Sequence, residues 1–279
     1  MANIIGIVGQ GFVGTAVHEG MKDDFDIQTY DKFKSESSTC ASLEDLCKKV
    51  KIVFVCLPTP MKKDGSCDLS ILEDTICQIN NVNSGNIVII KSTVVPGTTE
   101  RLNKENNNID IVFNPEFLTE ANSIEDFKNQ NRIIIGGPRP ATTIVKNMYR
   151  KSFRDTPIVK SGSTIAEFVK YFINCFLATK VAYANEFKQL CDAQGVDYDK
   201  VVEYALYDKR IATTHLSVPG PDGKDGFGGS CFPKDLNALI NFAKINKITP
   251  SVLGGVWEKN LDVRPEKDWE QLKGRAVSE

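Results

Sequence analysis

The residue best suited to covalent chemistry is a cysteine in a glycine-rich stretch. Cys231 lies in Gly226-Phe227-Gly228-Gly229-Ser230-Cys231-Phe232-Pro233-Lys234-Asp235, just ahead of a segment that reads as a helix beginning at Pro233. Thiolate is the nucleophilic form of cysteine, and backbone amides at a helix start, with Lys234 nearby, favour it. The glycines leave room for a substrate. Asp235, four positions on, would share that neighbourhood as a proton acceptor or an orienter of water. Cysteine is also a common small core residue, so the spacing fits a structural role equally well.

Lys170 and Asn174 stand four apart in a helical stretch and therefore share a face. A cation beside an amide donor can stabilise an oxyanion; the other reading is an exposed lysine with an asparagine bonding locally. Glu116 and Glu120, in Asn114-Pro-Glu-Phe-Leu-Thr-Glu, follow a strand-like run, where either a general base or a pair of acids opening a helix is expected. Thr93 ends another such run and could position a water. Leu57-Pro58-Thr59-Pro60 follows a third, its prolines forming a rigid wall.

A second kind of chemistry is binding. Gly9-Gln10-Gly11-Phe12-Val13-Gly14 follows the apolar run Ile4-Ile5-Gly6-Ile7-Val8 and opens a helical segment. In that context the first glycine serves the turn, the second lets backbone approach a pyrophosphate, and the third lets helix pack on strand. Asp31, twenty residues beyond Gly11, ends the next strand, where a carboxylate accepts from an adenosine ribose. That favours NAD over NADP, an inference weakened by Lys32 and Lys34 beside it.

The elements that must hold these residues read as alternating strands and helices. Strands are expected near 3–8, 26–30, 51–57, 86–91, 109–113 and 131–136, with helices beginning near Phe12, Ser42, Leu69, Thr98 and Ala141. This pattern predicts an α/β, Rossmann-like, doubly wound parallel sheet over residues 1–161. From Thr164 to Ala193 the chain runs without Gly or Pro, with apolar residues recurring at three and four, so one helix of roughly 45 Å is expected. It would connect to an all-helical domain over 162–279, with further helices near 233–247 and 250–260.

Across the 279 residues, 34 basic and 36 acidic side chains give a net charge of -2, which recommends neither nucleic acid nor an anionic membrane as partner. No apolar run approaches the roughly 20 residues that span a bilayer, and the amino terminus lacks a secretory pattern. The eight cysteines contain no CxxC pair and the two histidines, His18 and His215, lie far apart, so no metal site is expected. The thiols suit a reducing, cytoplasmic setting.

Taken together, GxGFVG, the acid ending the second strand, CLPTP, STVVPGTT, NPEFLTE, the KxxxN helix and GFGGSCFPKD resemble the UDP-glucose/GDP-mannose dehydrogenase family, in that family's order, from Ile4 to about Asn260. The resemblance implies a four-electron oxidation of a sugar C6 alcohol by two NAD molecules through a thiohemiacetal and a thioester, most simply UDP-glucose to UDP-glucuronate, with GDP-mannose or an N-acetylated UDP-hexosamine as the other substrates open. It implies Cys231 as the nucleophile, Lys170 and Asn174 at the oxyanions, Asp235 and Thr93 at the water, and Glu120, supported by Glu116, in hydrolysis. Gly9, Gly11, Phe12, Val13, Gly14, Asp31, Pro58, Thr59 and Thr93 would contact NAD. Phe117, Leu118, Lys170, Asn174, Arg210, Phe227 and Gly228 would contact the sugar nucleotide, Arg210 across a homodimer built on the long helix. Two departures stand out. The family's usual third domain, which binds the nucleotide, has no counterpart here, as expected of a short or truncated form. Thr119 stands where many relatives carry arginine. Two rivals remain: a non-catalytic NAD or nucleotide module, and a two-electron dehydrogenase of another small substrate, which would not need Cys231.

Overall fold

The structure is a computed structural model that describes residues 3–278. These divide into two compact units, one formed by the chain up to Thr59 with Leu69–Lys170, the other by Pro60–Asp68 with the chain from Tyr171 onward.

The first unit is built on a seven-stranded sheet. Its strands are β1 (Ile4–Val8), β2 (Asp26–Tyr30), β3 (Ile52–Val55), β4 (Ile87–Ile90), β5 (Asp110–Phe113), β6 (Ile133–Gly136) and β7 (Ile158–Ser161), in the order β2-β1-β3-β4-β5-β6-β7. The connecting helices are α1 (Phe12–Met21), α2 (Leu43–Lys49), α3 (Ser70–Val82), α4 (Thr98–Glu105), α5 (Ser123–Lys128) and α6 (Ala141–Ser152). The central strands read IIGIV, IVFV and IVII because helices cover both faces and neither face can be polar. Alternate residues sort cleanly: Ile5, Ile7, Phe54, Ile89 and Val112 enter one core with Met21, Met148 and Tyr149, while Val8, Val53, Val55, Val88 and Ile111 enter the other with Leu46, Leu72 and Ile76.

The first five strands are parallel, but β6 meets β5 antiparallel at Phe113 and Gly136, and β7 lies parallel to β6. The sheet is therefore mostly parallel. The connection between β5 and β6 carries only the six-residue α5. The chain order reverses at β1, which has β2 on one side and β3 on the other, so the loops after β1 and β3 flank the switch point where such sheets bind ligands.

The long helix, α7, runs from Ser163 to Ala193. The second unit adds α8 (Tyr198–Ala205), α9 (Phe232–Ile245) and α10 (Ser251–Val263). It also takes in Pro60–Asp68, whose Met61 bridges Cys67 antiparallel and Val277 in parallel, so short extended segments accompany the helices. Tyr198 and Cys191 pack with Ala184 and Val218 in its core. Among the described residues no helix is long and apolar enough to cross a membrane.

Candidate active site

In the first unit the glycine turn follows β1 directly. Gly9 has φ +91°, and a Cβ there would lie 2.4 Å from the carbonyl oxygen of Cys56. At Gly14 a Cβ would lie 1.9 Å from the carbonyl oxygen of Gly9, so that glycine serves internal packing. Gly11 differs, since a Cβ there would meet nothing within 4 Å. The protein's own packing does not account for a glycine at that position, whereas a ligand approaching the backbone does. No side chain caps α1, leaving the amides at the start of Phe12-Val13-Gly14 available to an anion. Asp31 is fixed beside this turn, accepting from Gln10 N at 2.7 Å, Phe33 N at 2.9 Å and Lys34 N at 3.1 Å. An ionised carboxylate has about four acceptor sites, so capacity for a ribose hydroxyl remains. Lys34 donates to the Gln10 carbonyl at 3.0 Å, which brings a cation to the same turn. These features fit a bound dinucleotide.

The loops after β3 and β4 are tied together. Ser92 Oγ donates to Leu57 O at 2.6 Å and accepts from Leu57 N at 3.0 Å, while Thr59 Oγ1 donates to Thr93 O at 2.7 Å. Thr59 and Thr93 are buried and Pro58 is exposed. The loop after β5 carries Glu116, which is buried with Lys170. Lys170 Nζ donates to the Glu116 carbonyl at 2.6 Å and to Oε1 at 2.8 Å, and Leu118 N donates to Oε2 at 2.8 Å. Burial alone would raise the Glu116 carboxyl, but the Lys170 ammonium and these hydrogen bonds hold it below the usual carboxylate range. The Phe117 ring lies under Arg132, 4.1 Å from ring centre to guanidinium, and 5.6 Å from the Lys170 nitrogen. Glu120 is exposed. Thr119, the departure from arginine, uses its hydroxyl locally, donating to Asp126 at 2.6 Å.

In the second unit Cys231 is the N-cap of α9, with Pro233 in the first turn. Asp235 is buried one turn on, accepting from Asn174 Nδ2 at 2.6 Å and from Lys234 Nζ at 2.6 Å. Burial opposes the charge on Lys234, yet Asp235 and the Cys231 sulfur outweigh it and raise its pKa above the usual lysine value. Cys175 also contacts the Asp235 carbonyl, at 3.9 Å, and burial raises its thiol pKa, as burial does for Cys47 and Cys56, which are pushed up to about 12.

The glycine-rich loop is held mostly by residues that sequence patterns did not single out. Asn260 on α10 accepts from Phe227 N at 2.7 Å and donates to Phe227 O at 3.0 Å, and Asn185 accepts from Gly226 N at 3.1 Å. Arg264, almost wholly buried, donates to Asp222 at 2.6 Å and to Asp268 at 2.9 and 2.6 Å. A Cβ at Gly228 would lie 2.5 Å from the Arg264 guanidinium, so that glycine is required by the clamp whether or not a substrate passes. Only a surplus of buried-type polar residues in α7 and α10 could have hinted at this. Arg210 pairs with Asp208 in its own loop through Nε at 2.9 Å, with 88% of its side chain exposed.

Residues 29–153 match the model of the UDP-glucose/GDP-mannose dehydrogenase family, NAD binding domain, and residues 164–262 match that family's central domain. A UDP-glucose 6-dehydrogenase from Rickettsia bellii is 36% identical over 77% of this chain and 50% of its own length. The UDP-glucose 6-dehydrogenase TuaD of Bacillus subtilis is 34% identical over 69% of this chain and 42% of its own. A solved UDP-glucose dehydrogenase from Pyrobaculum islandicum superposes with a TM-score of 0.86 at 29% identity, covering 93% of this chain and 68% of that one. The chain thus spans about half the length of the first curated relatives it matches. With both family models matched in order on an NAD-type sheet and a helical unit, the chain belongs to the UDP-glucose/GDP-mannose dehydrogenase family.

Proposed function

We propose that this chain oxidises the C6 alcohol of a nucleotide sugar to a carboxylate, taking UDP-glucose to UDP-glucuronate through a thioester on Cys231. The observation that carries the reading is the buried Asp235 carboxylate, gripped by Asn174 and Lys234 one helical turn from a thiol at a helix start. A module that only bound a nucleotide has no physical need for that group. The UDP-glucose dehydrogenase relatives suggest the sugar.

In the first step the alcohol loses a hydride and a proton to become an aldehyde. The Cys231 thiolate then adds to the aldehyde carbon, forming a C–S bond and an oxyanion. Loss of a second hydride converts this adduct to a thioester, and water breaks the C–S bond, releasing the carboxylate and restoring the thiolate. NAD held at the glycine turn supplies the hydride acceptor, one molecule for each oxidation. Lys170, with its ammonium fixed by Glu116, and Asn174 stabilise the oxyanions. Asp235 and Thr93 orient the water, and Glu120 takes its proton with Glu116 in support. Pro58, Thr59, Phe12 and Val13 border the cofactor, while Phe117, Leu118, Phe227, Gly228 and Arg210 contact the sugar nucleotide. Residues 1–161 serve the cofactor and 162–279 carry the nucleophile. The working form is a cytoplasmic homodimer joined along α7.

The test is NADH formed per UDP-glucose at limiting sugar, for this chain and for Cys231→Ser. Two equivalents, lost on substitution, are expected. One equivalent that survives substitution would identify a two-electron dehydrogenase, and NAD binding without NADH would favour the non-catalytic module.

A further inference from the structure

We propose that Lys91 is a positioning residue for Lys170: its ammonium fixes Asn114, and Asn114 fixes the turn through which Glu116 holds Lys170. Lys91 follows β4 and is only 3% exposed. Its ammonium donates to Asn114 Oδ1 at 2.8 Å and lies 5.8 Å from the Phe127 ring centre. The buried cation thus has a neutral amide as its hydrogen-bond acceptor, an arrangement that hydrophobic packing alone would not retain.

Asn114 is held on every side. Its Oδ1 also accepts from Tyr149 OH at 2.6 Å, its Nδ2 donates to Ile134 O at 2.7 Å, and its backbone N donates to Ile90 O at 2.9 Å. Two residues further on, Glu116 presents both its carbonyl and a carboxylate oxygen to Lys170. Lys91 bonds Asn114, one step removed from the Glu116–Lys170 pair. It acts through the Asn114-Pro115-Glu116 turn.

The ionisable groups facing Lys91 are Cys56, Glu116, Lys170 and, through Asn114, Tyr149. Burial pushes the Cys56 thiol up to about 12 and the Tyr149 phenol well above its usual value, so both stay neutral near neutral pH. Burial chiefly lowers Lys91 itself, to about 8, with Lys170 adding repulsion and Glu116 opposing it. The donor to Asn114 is therefore charged at pH 7 and discharged at pH 9.

The test is amide hydrogen exchange over residues 113–120 in the full chain, read by mass spectrometry. Lys91→Met is expected to fold and to bind NAD as the parent does, while this segment exchanges at least tenfold faster. In the unsubstituted protein, exchange of the segment is expected to step upward across pH 8, beyond the smooth base-catalysed rise seen in β1. Unchanged exchange in Lys91→Met, or no step across pH 8, overturns the proposal, and the second measurement decides alone if the variant does not fold. The kinetic arm rests on the function proposed above: kcat for UDP-glucose oxidation falls about tenfold with KM unchanged. Absence of turnover in the parent protein would count against that function and leave the exchange result to decide the role of Lys91.

Discussion

Lys91 and Lys170 are both taken out of water at the carboxyl end of the parallel strands, beside the buried Glu116. Removing one member of a buried ion pair leaves the other charge uncompensated, a cost of about 3–5 kcal/mol. Glu116→Gln is therefore expected to lower stability by that order, measured by denaturant unfolding at pH 7. The pH dependence follows from the direction of the shift. The folded pKa of Glu116 lies below its unfolded value of 4.5, so its contribution is fully present above 4.5 and is lost as pH falls through the folded value. The gap between parent and variant should close below pH 4.5 and stay constant from pH 5 to 7. Lys91 runs the opposite way. Its folded pKa of about 8 lies below the unfolded 10.5, so its burial is most costly below pH 8 and the cost fades toward 10.5. Lys91→Met should accordingly unfold at a higher denaturant concentration than the parent at pH 7, with the advantage shrinking by pH 10. A substitution that raises stability while lowering kcat is the expected signature of a charge kept for function.

At the scale of elements, α4 shows how the loops at the sheet edge are secured. Its N-cap is Gly97, which brings no side-chain cap, and Glu167 on α7 replaces it by accepting from Gly97 N at 2.6 Å and Thr99 N at 2.8 Å. Glu167 is fully buried. Glu167→Gln exchanges one acceptor oxygen for an amide donor, which must face one of those N–H groups. A loss of about 1–3 kcal/mol is expected for the unsatisfied donor, with faster exchange at residues 97–99. No local pattern could announce this cap, because its two halves lie some seventy positions apart. What sequence does report is periodicity. β1, β3 and β4 were legible as apolar runs and α7 as an unbroken three-four repeat, and the glycine turn and Asp31 gained meaning from their place after strands. β7 was not legible, since its residues Ile158–Ser161 are only partly buried or exposed and show no alternation. α5, of six residues, is too short for a 3.6-residue period to repeat. In the candidate site, the spacing of Cys231, Asp235, Lys170 and Asn174 fitted a structural role as well as a chemical one and only the family resemblance favoured the latter, whereas Lys91, Asn185, Asn260 and Arg264 became visible only through what they bond.

For the whole molecule, the question is what covers the outer side of α7. Phe172, Phe176, Tyr183 and Leu190 are 74%, 57%, 63% and 58% exposed, and they recur at intervals of four and seven that keep them on one stripe of the helix. Phe172 and Phe176 stack with ring centres 6.3 Å apart and planes 11° from parallel, a flat apolar face presented to water. Isolated surface apolar residues need no explanation, but a contiguous aromatic stripe marks a partner surface. A second copy is the simplest partner, because one helix presenting this stripe can meet the same stripe on its twin about a twofold axis. Phe172→Glu with Phe176→Glu places two carboxylates on each side of such a seam and repels the pair without touching the core. The parent is expected to sediment as a dimer and the double variant as a monomer at the same micromolar concentration, with circular dichroism and NAD binding retained. A parent that sediments as a monomer at all accessible concentrations rules out the seam. In that case the proposed contact of Arg210 with substrate across the seam falls with it.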